Sequence, residues 1–152
     1  MNFMEKATQE GYKAFLKDEI PIGAVIVKDN KIISYARNKR EKSQIATHHA
    51  EILAIEKACK KLKSWRLDDC DLYVTLEPCP MCAGAIMNAR IKKVYFAVQD
   101  LDNGGHSRFN IFENSMNHFC ACVHDKEFEV ENKKLIQDFF KNKRQKKRNP
   151  KK

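Results

Sequence analysis

The sequence predicts an α/β fold in three layers, α/β/α, with a mixed five-stranded sheet in the middle. Three observations carry this expectation. Two β-branched runs, 22–28 and 31–36, flank Asp29-Asn30, a good tight-turn pair, so the sheet opens with an antiparallel hairpin. Later apolar runs are separated by segments of helical spacing, which requires crossover connections and hence a parallel portion. The length, 152 residues, suits one domain with a proper core, and no internal repeat is visible.

The elements follow in order. Residues 2–17 place Phe3, Met4, Ala7, Tyr12, Ala14, Phe15 and Leu16 at a spacing that suits an amphipathic helix. The hairpin comes next, and the polar stretch 38–47 reads as a loop. From His49 to about residue 62, the positions Ile52, Leu53, Ile55, Ala58 and Leu62 recur at helical spacing. "LYVTL", 72–76, is a short buried strand; Pro78 ends it and suits the first turn of a helix reaching about Ala89. "KKVYFAV", 92–98, is another strand. Residues 100–118 are irregular and rich in Gly, Asn and His, and "FCACV", 119–123, reads as the last strand. A final helix over about 127–147 carries Phe128, Leu135, Ile136, Phe139 and Phe140. The expected organisation is one domain over 1–147 and a basic tail, 148–152, without fixed structure.

Composition narrows the class. No apolar run approaches the roughly 18–20 residues of a membrane span, and "MNFMEKATQEGYKAF" lacks a signal peptide's apolar stretch. The expectation is therefore a soluble, cytoplasmic protein with no membrane partner. Its six cysteines (59, 70, 79, 82, 120, 122) then read as reduced thiols or metal ligands rather than disulfides. Cys120 and Cys122 alternate on a strand and read as small apolar residues. The net charge is +9, yet eight of the last twelve residues, "KNKRQKKRNPKK", are Lys or Arg. Such a run suits a polyanion such as nucleic acid, or a solubilising tail.

Two short stretches carry chemistry. "HHAE" ends in His49-Ala50-Glu51 at one helix start, and "EPCPMC" sets Cys79 and Cys82 at another, with 25 residues between Glu51 and Glu77. Cysteines at i and i+3 in a first turn share a face, and a helix N-terminus favours thiolate over thiol. Zinc takes thiolate and imidazole ligands, and a catalytic site keeps three protein ligands and one open position. His49, Cys79 and Cys82 supply such a set, and Glu51 stands beside it as a carboxylate able to move protons. Two other readings remain open. The Cys-x-x-Cys alone could be redox-active or simply buried, and a closed structural site would need a fourth ligand from His48, His106, His118 or Cys59.

"HAE" with "EPCPMC" resembles the zinc-dependent nucleobase and nucleoside deaminases of the cytidine/deoxycytidylate deaminase superfamily. "IPIGAVIV", "LYVTLEPCPMCAGAI", "ARIKKVYFA", "MNH" and "DFFKNKR" resemble, more narrowly, the bacterial tRNA-specific adenosine-34 deaminases, in order across nearly the whole chain. The resemblance implies a cytidine deaminase-like fold, one zinc ion per subunit on His49, Cys79 and Cys82, and hydrolysis of adenosine to inosine at the wobble position of a tRNA anticodon. The family uses zinc-bound hydroxide, with Glu51 as the matching proton shuttle. Asn38, Ile22, Leu76, Asp100 and Asn117 match positions around the base and ribose. Phe140, Lys143 and Arg144, on the last helix, would meet the anticodon stem-loop, and a homodimer is implied. The chain departs from the family at His48, where a small residue is common, and in "DLDNGGHSRFN", which replaces a more typical Lys-Thr-Gly-Ala stretch. A deaminase of a free purine such as guanine shares the motif and fold, and a zinc module that only binds RNA shares the ligands.

Overall fold

A computed structural model describes residues 2–113 and 118–148. Helix α1 spans Phe3–Leu16, and strands β1 (Gly23–Lys28) and β2 (Lys31–Arg37) form the hairpin. A single turn, α2 (Arg40–Ser43), precedes α3 (Ala50–Leu62). Then come β3 (Cys70–Leu76), α4 (Pro80–Asn88), β4 (Lys93–Val98), β5 (Ala121–His124), a 3-10 turn (Lys126–Phe128) and α5 (Glu129–Arg148).

Local chemistry accounts for several boundaries. The Asn2 side chain accepts a hydrogen bond from the Glu5 N–H and caps α1. Asp29 (φ 50°) and Asn30 (φ 62°) adopt the left-handed conformation that a two-residue hairpin turn needs. Lys63, at φ 54°, closes α3. Pro80, rather than Pro78, occupies the first turn of α4, because the Pro78 carbonyl is committed to the Gly105 N–H at 2.7 Å. The stretch expected to be a plain loop, 38–47, contains α2, whose Glu41 and Lys42 N–H groups are bound by the distant Glu19 carboxylate at 3.0 and 2.7 Å. The last strand begins at Ala121 rather than Phe119, because its pairing with Lys93 starts there and Phe119 is left exposed. Helix α5 runs to Arg148; residues 149–152 of the expected tail lie outside the described residues.

The strand order is β2-β1-β3-β4-β5. Strand β1 is antiparallel to both neighbours, whereas β3, β4 and β5 pair in parallel. Hence β2, β3, β4 and β5 all run one way and β1 alone opposes them. Every residue of β1 but its last is buried, as a strand covered on both faces must be. Ala24 and Ile26 face α3 and α4 with Ala54, Ala58, Ala83, Ile86, Leu72 and Val74. Val25 and Val27 face the other way, toward Met4 and Ala7 of α1 and Ile136 of α5. Shortening one such fully buried side chain to alanine costs about 2–5 kcal/mol. The outcome is the three-layer arrangement with helices on both sheet faces.

This topology positions the site. Helix α3 follows β2 and α4 follows β3, and those strands run in the same direction on either side of β1. Both helices therefore start at the same end of the sheet, where ligand crevices form in α/β folds.

Candidate metal centre and active site

His49 is the N-cap of α3 and Cys79 is the N-cap of α4. Cys82 sits three residues on, in the first turn of α4, and is fully buried. The His49 Nδ1 atom is 3.7 Å from Cys79 Sγ and 3.5 Å from Cys82 Sγ. All three donor atoms lie within 4.8 Å of one another. A tetrahedral zinc ion, with Zn–S of about 2.3 Å and Zn–N of about 2.0 Å, holds S and N roughly 3.5 Å apart. The residues present fit that ion.

The three groups perturb one another's ionisation. A hydrogen bond from the Cys82 thiol holds Cys79 down to about 4, against burial, and the His49 contact adds to the effect. Cys82, as the donor in a buried place, is pushed up, and the Cys79 partner pushes His49 up. Among the described residues no fourth His, Cys, Asp or Glu joins the group. Of the rivals for a closed site, the His118 ring bonds the Ile91 carbonyl and the Cys59 thiol points to the Trp65 carbonyl; the His106 Nδ1 is buried without a hydrogen-bond partner, yet neither His106 nor His48 joins the group.

Glu51, in the first turn of α3, is 3% exposed, and its Oε1 is buried without a hydrogen-bond partner. Burial pushes its carboxyl up to about 7. An orphaned carboxylate oxygen inside a protein is costly unless a ligand completes it.

Other residues singled out in the sequence gather around one cavity of about 410 Å³. Ile22, Asn38, Leu76, Asp100 and Phe140 line it together with His49, Glu51 and Cys79. Asn38 is buried, and its Oδ1 accepts the Arg40 N–H at a long 3.4 Å, so it caps the loop weakly while facing the cavity. Asp100 turns Oδ1 to the Asp102 and Asn103 N–H groups. Phe139 is buried, and Phe140 is 43% exposed. Lys143 pairs with Asp18 at 3.1 Å and lies 5.5 Å from the Phe139 ring, away from the cavity lining, and Arg144 is exposed. Asn117 lies outside the described residues.

Sequence reasoning missed Ile20, Arg40, Asn103 and Glu77, all of which line the same cavity. It also missed Glu19, which holds α2 from 22 residues away in sequence. Only Glu77 left a sequence signal, a charged residue at the end of an apolar strand, where burial requires partners.

A sheet of this topology with a His/Cys/Cys group and a buried glutamate at two converging helix starts defines a deaminase-type metal site, and the model of the MafB19-like deaminase family matches residues 1–144. Narrower relatives agree. The tRNA-specific adenosine deaminase of Aquifex aeolicus is 48% identical over 76% of this chain and 78% of its own length. That of Agrobacterium fabrum is 41% identical over 94% and 95%. A solved tRNA:A34 deaminase, studied for A-to-I editing at the wobble position of transfer RNA, superposes with a TM-score of 0.82 at 41% identity, covering 88% of this chain and 97% of that one. The guanine deaminase structure from Bacillus subtilis reaches a TM-score of 0.63 at 46% identity, over 67% and 68%. This chain belongs to the tRNA-specific adenosine deaminase family.

Proposed function

We propose that this chain hydrolyses adenosine to inosine at the wobble position of a tRNA anticodon, consuming one water and releasing ammonia. The observation that carries the reading is the buried, unpartnered Oε1 of Glu51 in one cavity with the His49 and Cys79 donor atoms. His49, Cys79 and Cys82 would hold one zinc ion per chain. Bound there, zinc would supply Lewis acidity and lower the pKa of a water to about 7.

The chain's own residues do the rest. Glu51 takes a proton from the attacking water and delivers one to the purine ring nitrogen beside C6. As the tetrahedral C6 collapses, Glu51 takes the proton of the new C6 hydroxyl and gives it to the departing amino nitrogen, which leaves as ammonia while the C6 carbonyl forms. Asn38 hydrogen-bonds the base, Ile22 and Leu76 line the pocket around it, and Asp100 stands near the ribose; Asn117 is assigned to the base by the family resemblance. Phe140 offers an aromatic face to a flanking base, and Lys143 and Arg144 attract phosphates. The anticodon loop is already partly unstacked, which lowers the cost of turning the base into the cavity.

Residues 1–147 act as one domain, and the chain works as a cytoplasmic homodimer. No helix among the described residues is long and apolar enough to cross a membrane.

The test pairs two substrates. Product analysis on a short anticodon hairpin should show inosine, and guanine should release no ammonia. Turnover of guanine without inosine in the RNA would select the free-purine reading instead.

A further inference from the structure

The second wall of the cavity, residues 100–107, has no helix or strand to hold it, yet Asp100 and Asn103 present it to the site. The Pro78 carbonyl takes the Gly105 N–H at 2.7 Å, and beyond that backbone contact one buried side chain ties the wall down. Glu77, 2% exposed, accepts hydrogen bonds from the N–H groups of Asp100 (3.0 Å), His106 (3.0 Å) and Ser107 (2.7 Å), and from the Ser107 hydroxyl (2.6 Å). We propose that Glu77 is a positioning residue, whose carboxylate sets the 100–107 wall at the height the bound nucleotide requires.

Several features support this assignment. A carboxylate offers about four acceptor positions and no donor, and here four donors converge on it. An amide in its place would turn an NH2 group toward an N–H. The loop is shaped to reach the carboxylate: a Cβ on Gly104 would overlap both the Glu77 carboxylate and the Asp100 carbonyl oxygen, and one on Gly105 would crowd Ala83. Glu77 itself is anchored by its own N–H to the Val98 carbonyl at 2.8 Å, at the end of β4. The wall is thus referenced to the sheet that also carries α4. Glu77 has no direct bond to His49, Cys79 or Cys82 among its hydrogen bonds. Its effect therefore falls on substrate placement rather than on metal retention.

The kinetic arm of the test rests on the proposed tRNA reaction; a second arm does not. Glu77→Gln should keep the zinc content of the parent protein. Its Asp100, His106 and Ser107 amides should exchange with solvent deuterium about tenfold faster or more, as loss of charge-assisted hydrogen bonds implies. On an anticodon hairpin, KM should rise about tenfold with kcat within about threefold, the signature of lost binding rather than lost chemistry. Ser107→Ala removes the hydroxyl, which donates to Glu77 and accepts from the Gln99 amide at 3.0 Å, and keeps the buried carboxylate, so it should shift both readouts the same way by less. That variant decides the matter if Glu77→Gln does not fold. Unchanged amide exchange in the folded variant overturns the proposal. So does zinc loss, or a fall in kcat at constant KM, either of which would place Glu77's action on the metal helix. A parent protein that makes no inosine would overturn the functional reading alone and leave the exchange comparison to judge the wall.

Discussion

The Nδ1 of His49 lies 3.7 Å from the Sγ of Cys79, and each residue is the N-cap of its own helix. Two chain segments 30 residues apart thus bring their helix starts together, with positive dipole ends facing one small volume. Such a volume favours thiolate and carboxylate, and it is also where Glu51 keeps an unpartnered oxygen.

Replacing Glu51 by glutamine should separate chemistry from metal binding. General acid–base help of this kind supplies about 10²–10⁴ in rate, so kcat on an anticodon hairpin should fall at least about a hundredfold while zinc content stays at one per chain. An unchanged rate of ammonia release would mean that the carboxylate has no part in the reaction.

Cys82→Ala should abolish zinc retention, because a fully buried donor 3.5 Å from His49 Nδ1 is lost and no other ligand stands by among the described residues. In the parent protein, chelation should lower the melting temperature, and added zinc should restore it. At free zinc a thousandfold above Kd, the linkage amounts to about 4 kcal/mol. Equal melting curves with and without chelator would argue against a bound ion.

Glu10 predicts an acid-sensitive component of stability. It is buried in α1, with Lys13 Nζ and Arg37 Nη1 both 3.2 Å away and Lys6 Nζ at 3.6 Å. Burial alone would raise its carboxyl; the Lys13, Lys6 and Arg37 cations outweigh it and hold the group below its ordinary 4.5. A folded value below the unfolded one means that the stabilisation is full above pH 4.5 and fades as pH falls through the lowered folded value. Glu10→Gln should therefore cost about 1–3 kcal/mol at neutral pH, and the gap should shrink in acid. Denaturant midpoints measured from pH 7 down to pH 3 give the check, and a gap that does not vary with pH would contradict it.

The α5 residues should divide by function. Phe140, partly exposed at the cavity, should lose about tenfold in hairpin affinity on change to alanine, in line with base stacking. Arg144→Ala should reduce the slope of log Kd against log salt by about 0.7. Lys143→Ala should move that slope less, since Asp18 already engages its ammonium. Binding titrations at several salt concentrations measure all three; equal slopes for the two basic variants would undo the distinction.

Much of this molecule is written in short-range pattern. Helical spacing marked α1, α3 and α5, the Asp29-Asn30 pair marked the hairpin, and His-x-Glu and Cys-x-x-Cys at two helix starts marked the two halves of the candidate metal centre, because each depends on neighbours within a few residues. What no local pattern could contain is partnership across the fold. The one-turn α2 exists because Glu19 reaches its N–H groups, Pro80 rather than Pro78 starts α4 because the Pro78 carbonyl is taken by Gly105, and the 100–107 wall stands because Glu77 accepts four hydrogen bonds from it. A buried carboxylate and a buried helix start must find partners somewhere. Residue identity sets that requirement, and only the tertiary structure decides which distant segment meets it.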